Sequence, residues 1–270
     1  MIDLIRQQLA KVVTDEAKFT RCRELMQILC LKILDEHKMF DCLAFTGGTA
    51  LRVVFGVRRF SEDLDFSLVE KRNYSFARLN HELLKSLELS GLKAQSKPKD
   101  EKVVHSTMLK FPGLLKAVGL SPLESQNLSI KLEIVTNPPQ GGQVETRIIQ
   151  KEYVFSLTHF DLASMFATKL HACFYRPYVK GRDVYDFIWY MGNKVMPNFT
   201  LLNNAITQTQ GTTPNIDEKN FKEFLLRGIE RVDFKDAQKD VERFLDDKRE
   251  LRLFDADLIQ KSIKAVYSSY

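Results

Sequence analysis

Cysteine is scarce: Cys22, Cys30, Cys42 and Cys173 are the four in 270 residues, with no C-x-x-C pair and no metal-ligand spacing. That excludes a cysteine-built zinc site and a disulfide framework. Cys22 and Cys30 fall in a helical pattern and Cys42 in an apolar run, so buried free thiols in a reducing, cytoplasmic setting are expected. No apolar run approaches the roughly eighteen residues of a membrane span, and none is expected. The opening MIDLIRQQLAKVV carries Asp3 early and lacks an apolar core, so it does not read as a secretory leader. Neither G-x-x-x-x-G-K-[ST] nor G-x-G-x-x-G occurs, which removes the Walker-type phosphate loop and the dinucleotide-binding fingerprint. Internal repeats and low-complexity tracts are lacking too. So is a strong excess of one charge: 40 basic and 35 acidic residues leave +5, compatible with an anionic partner without demanding one.

What is there is ordinary globular composition, 44% hydrophobic and 28% charged, in a chain long enough for one large or two small cores. Residues 15–37 place Phe19, Cys22, Leu25, Met26, Leu29 and Ile33 at helical spacing. CLAFT, 42–46, reads as a strand, TALRVVF, 49–55, as a helix, and DLDFSL, 63–68, as a strand. A helix is expected over 74–90, and strands over 103–111, 128–135 and 144–149. Beyond about residue 155 the pattern turns helical, at 158–174, 182–191 and most of 217–268. The expected fold is α/β: a small mixed sheet with flanking helices over 1–155, then a helical domain over 156–270.

The chemistry concentrates in GGTALRVVFGVRRFSEDLDF, 47–66. Asp63 and Asp65, at i and i+2 on a strand, share one face, with Leu64 and Phe66 on the other. Like charges so placed repel unless a cation neutralises them. Hard oxygen donors suit Mg²⁺, with Mn²⁺ as the alternative, sharing its sphere with substrate phosphates. In LSIKLEIV, 128–135, Glu133 and Lys131 face away from the apolar side, so Glu133 is a candidate third ligand, against the plainer reading of a solvated strand residue. Gly47 and Gly48, between strand and helix, let backbone N–H groups approach a triphosphate, and Thr49 can add a hydroxyl.

A strand, Gly-Gly-Thr, a short helix and D-x-D on the next strand resemble the polymerase-β-type nucleotidyltransferases. The longer form, from GGTAL to RRFSEDLDF, is similar to the AbiEii/AbiGii toxin family, with which the MenT toxins are sometimes grouped. A second block agrees: Lys169 in ATKLHA, then YVKGRDVYDF, 178–187. Asp183 and Asp186 there lie three apart on one helical face. The resemblance covers roughly 40–190. It implies an NTP-dependent nucleotidyltransferase toxin with a cognate antitoxin protein and tRNA or other RNA as the leading acceptor. A protein acceptor, or a module that binds without turnover, are the alternatives. It implies Asp63, Asp65, Lys169 and Asp186 as catalytic, and Gly47, Gly48, Thr49, Arg59, Ser61, Lys180 and Arg182 around the nucleotide. Glu133 stands where many relatives carry aspartate. Arg59 is expected to hold phosphate or to pair with Glu62, and Arg52 and Arg58 to be surface charges. A cleft between the two halves is the expected substrate site.

Overall fold

The computed structural model describes residues 1–268. The elements run α1 (Ile2–Leu9), α2 (Asp15–Glu36), β1 (Leu43–Thr46), α3 (Gly47–Phe55), β2 (Leu64–Leu68), α4 (Phe76–Leu89), β3 (Gln95–Asp100), β4 (Val104–Phe111), α5 (Leu114–Ala117), β5 (Leu128–Val135), β6 (Val144–Gln150) and β7 (Val154–Phe160). Then come α6 (Leu162–Tyr175), α7 (Gly181–Gly192), α8 (Phe199–Gln210), α9 (Phe221–Ile229), α10 (Phe234–Val241) and α11 (Ala256–Val266). They divide into two compact units. The first comprises Met1–Val54, Glu62–Pro138 and Thr146–His159; the second comprises Phe55–Ser61, Pro139–Glu145 and the chain from Phe160 onward. The single cut expected at 155 lies close to the last of these boundaries, but two short segments fold with the second unit out of sequence order. The expected second domain runs to 270, of which 269–270 lie outside the described residues.

The first unit is built on a seven-stranded mixed sheet of order β3-β4-β5-β2-β1-β7-β6. β2 pairs antiparallel with β1 and parallel with β5, so the sequence-distant Asp65 and Glu133 become direct neighbours. The alternation of β5 is clean: Leu128, Ile130, Leu132 and Ile134 are buried while the residues between them are half-exposed. α2 starts where Thr14 accepts from the Ala17 N–H and Asp15 and Glu16 occupy the dipole-favoured first turn. Its Leu25, Met26, Leu29 and Ile33 are buried, as are Leu79, Leu83 and Leu87 of α4, which packs on it. Phe45 and Phe66, one on each central strand, meet at 5.2 Å between ring centres.

The expected helix at 158–174 is corrected at its start. Residues 154–160 form β7, which pairs parallel to β1 through Phe45 and His159. Phe155, Leu157 and His159 alternate into the core, and that period of two outweighs the helical pattern until Asp161. Asp161 caps α6 by accepting from the Ser164 N–H at 2.7 Å. β3, α5 and α8 have no counterpart among the expected elements.

The second unit is helical around an aromatic centre. Phe166 and Tyr190 stack at 4.3 Å, and Phe221 meets Tyr267 edge-on at 5.1 Å. α7 runs against α10 so closely that a Cβ on Gly181 would lie 1.9 Å from the Ala237 carbonyl oxygen. The Gly181 N–H donates to Asp240 at 2.8 Å, closing that approach with a charged hydrogen bond.

Candidate active site

The two halves of the 47–66 motif meet in the first unit through backbone. β1 ends at Thr46, whose partner across the ladder is Asp65. Gly47 then turns the chain into α3 at φ +75°, a conformation glycine adopts without strain. A Cβ there would sit 2.2 Å from Asp65 Oδ2, so the absent side chain makes the space that the carboxylate fills. Thr49 is buried, and its hydroxyl donates to the Asp63 carbonyl. The threonine expected to meet phosphate instead ties the glycine turn to the aspartates. Asp63 lies one residue before β2, not on it as the alternation suggests, and both aspartates are half-buried.

Glu133 stands beside Asp65 in register, and Lys131, two residues earlier, lies on the same side of β5. The Lys131 ammonium meets Glu133 Oε1 at 2.7 Å. Its pKa is raised, by the hydrogen bond to Glu133 first and further by the charges of Glu133, Asp63 and Asp65, against a desolvation cost. The sheet thus gathers three carboxylates and one ammonium. Among the described residues no group of three His, Cys, Asp or Glu is drawn together as a metal site. The aspartate pair fits a hard divalent cation: its donors are oxygen, and the Gly47 cradle reserves room for one of them. Glu133 fits less well, since its carboxylate is held by Lys131.

Arg59 and Ser61 lie in the second unit, on segment 55–61. Glu62, expected as a partner for Arg59, takes Arg23 at 2.7 Å within the first unit, and Arg59 pairs within the second. It is 1% exposed and forms a two-pronged pair with Asp186, Nε to Oδ1 and Nη2 to Oδ2, both at 2.6 Å. That geometry leaves its guanidinium no face for phosphate, contrary to the expected nucleotide contact. Ser61 is buried. Arg52 is also not a plain surface charge: it pairs with Glu24, both largely buried. Arg58 is exposed as expected.

Lys169 on α6 reaches Asp183 and Asp186 on α7, each at 2.9 Å. Arg176, absent from the sequence-derived candidates, meets the other oxygen of Asp183 at 2.9 Å. Lys169, Arg59 and Arg176 thus neutralise two buried aspartates. Burial opposes the Lys169 ammonium, but Asp183 and Asp186 outweigh it and its pKa is raised. Burial likewise opposes the Asp183 carboxylate, and Lys169 and Arg176 outweigh it, leaving its pKa lowered. Arg176 follows the last turn of α6, and its cue in the sequence is only that position. Lys180 precedes the first turn of α7, and Arg182 lies over the Phe244 ring at 4.3 Å. His171 is satisfied by Thr209 at 2.8 Å, the commoner fate of a lone histidine on a helix.

The profile of the nucleotidyl transferase AbiEii toxin family, a type IV toxin–antitoxin system, matches residues 29–261. The chain belongs to this family. Two solved structures from Helicobacter pylori are similar in fold. One, assigned as a nucleotidyltransferase, has a TM-score of 0.54 at 19% identity, covering 91% of this chain and 95% of its own. The other, JHP933, has a TM-score of 0.54 at 20% identity, covering 91% and 92%. No curated protein sequence matches with significance. AbiEii membership makes the chain a nucleotidyltransferase toxin, of a family that works within a toxin–antitoxin pair. No helix among its described residues is long and apolar enough to cross a membrane.

Proposed function

We propose that this AbiEii-family toxin transfers a nucleotide from an NTP to an RNA acceptor, the 3′ end of tRNA foremost, using Mg²⁺ held by Asp63 and Asp65. The observation that carries the reading is the Gly47 turn, whose missing side chain makes room for the Asp65 carboxylate beside the first amides of α3. In the reaction the acceptor hydroxyl gives up its proton to solvent as its oxygen bonds to the α-phosphorus, the bond to the β-phosphate oxygen breaks, and pyrophosphate leaves. A bound divalent ion would supply Lewis-acid polarisation of the phosphate oxygens. Gly47 and Gly48 offer N–H groups at the start of α3, where the helix dipole favours an anion. Thr49 fixes the Asp63 backbone, so the two carboxylates keep their spacing without rearrangement.

RNA is favoured over protein by the loop RPYVK, 176–180, where Tyr178 is 64% exposed between Arg176 and Lys180, with Arg182 just beyond. Basic groups interleaved with an exposed ring suit phosphate contact and base stacking. Lys169 and Asp186 are the further candidates for transfer in the second unit. Lys169→Met leaves Asp183 with Arg176 and Asp186 with Arg59, so the fold is expected to survive. Loss of a positive charge acting on phosphate is expected to cost turnover roughly a hundredfold. Turnover within about threefold of wild type would confine Lys169 to structure.

The acceptor is tested by incubating the protein with labelled NTPs, Mg²⁺ and total RNA, with and without cell protein. Label in an RNase-sensitive band of tRNA size is expected. Label on protein alone would replace the RNA reading, and its family-derived antitoxin would be the first acceptor to try.

A further inference from the structure

The ammonium of Lys131 lies against one of the three carboxylates that a divalent ion would contest. Lys131 and Glu133 lie two apart on β5 and meet at 2.7 Å, while Glu133 stands in register with Asp65 on β2. The Asp63 and Asp65 charges fall on the same ammonium. Lys131 is 40% exposed and comes from the sheet itself, so it is neither buried structure nor a distant surface charge. Carboxylates beside a resident ammonium need less from an added cation than carboxylates alone. A like charge a few ångströms away also weakens any cation that enters.

We propose that Lys131 is a positioning residue that acts as a built-in counter-cation to the acid group: it holds Glu133 away from the metal and sets a weak affinity for free Mg²⁺. The metal centre is then the two aspartates, and Mg²⁺ is retained chiefly when a triphosphate adds negative charge. This rests on the reading of Asp63 and Asp65 as the metal pair. It also accounts for glutamate at 133: the longer side chain reaches its lysine neighbour along the strand instead of needing an ion.

The test is Mg²⁺ binding to the whole protein by calorimetry, without nucleotide, repeated with Mn²⁺ by electron paramagnetic resonance. Lys131→Gln is expected to bind either ion about tenfold more tightly than wild type. Lys131→Arg, which restores the charge, is expected to return the affinity to the wild-type value. Equal affinities for wild type and Lys131→Gln, or weaker binding by Lys131→Gln, would overturn the proposal while leaving the aspartate pair intact. If neither wild type nor Lys131→Gln binds either ion, or if Asp65→Asn binds as well as wild type, the metal reading itself fails and this inference with it. Lys131 is half-exposed on its strand, so circular dichroism of both variants is expected to match wild type.

Discussion

At the scale of single residues, the deciding positions are ones where a side chain is missing or wholly enclosed. Gly47 is the first. Its φ of +75° and the 2.2 Å approach to Asp65 Oδ2 both forbid a methyl group. Gly47→Ala is expected to lower stability by about 1–3 kcal/mol and to displace Asp65, cutting nucleotide transfer by roughly a hundredfold. Chemical denaturation and a transfer assay read the two effects separately, and normal activity in the Gly47→Ala variant would remove the cradle from the mechanism. Cysteine gives a second residue-scale expectation. Burial pushes the thiols of Cys22 and Cys30 up to about 12 and raises that of Cys173 further. All four cysteines are free and buried, so disulfide-exchange reagents should label the native protein slowly and the unfolded protein fully. The sequence discloses Asp63, Asp65 and the glycines because their types and spacing are themselves unusual. It cannot disclose that Arg59 faces Asp186, because that pairing joins residues 127 apart and only burial makes it necessary. For the same reason Thr49 reads as a phosphate ligand from sequence: its hydroxyl is spent on a carbonyl fourteen residues away.

At the scale of elements, local chemistry decides most boundaries. The pattern of β5 is readable at both ends, Leu128–Val135, because one face is buried and the other is not. β3 escapes a sequence reading because QSKPKD is polar on both faces: it is an edge strand whose ladder to β4, not its side chains, makes it a strand. The start of α6 is hard to place because THF can continue either period, and only the Asp161 cap separates β7 from the helix. Asp161→Ala is therefore expected to cost about 1 kcal/mol, seen as a lower urea midpoint with an unchanged slope. Asp161→Asn, which keeps the acceptor, should recover most of it. The contact between α7 and α10 makes the stronger demand: Gly181→Ala meets backbone, not a movable side chain, so it should be worse than the cap variant.

At the scale of the whole molecule, two compact units share one interrupted chain, and the segment 55–61 that separates the glycine turn from the aspartates folds with the second. The sequence suggests one boundary because composition changes once; excursions this short carry no compositional mark. The second unit holds the ion-paired group of Lys169, Asp183, Asp186, Arg59 and Arg176, in which Asp183 carries the acid sensitivity. The folded pKa of Asp183 lies below its ordinary 3.8, so its contribution is complete above that unfolded value and is lost as pH falls through the lower folded value. Urea midpoints taken between about pH 5 and 2 should fall steeply for wild type, and less steeply for Asp183→Asn, which starts lower. Parallel slopes would place the acid sensitivity elsewhere.

The most direct measurement of the central claim is transfer of label from NTP in the presence of Mg²⁺, comparing α-phosphate with γ-phosphate label, for wild type and Asp65→Asn. A nucleotidyltransferase working through the aspartate pair moves only the α-label to the acceptor, releases the γ-label as pyrophosphate, and loses transfer in Asp65→Asn while the fold persists. Transfer of the γ-label, or α-transfer by Asp65→Asn at the wild-type rate, would contradict it.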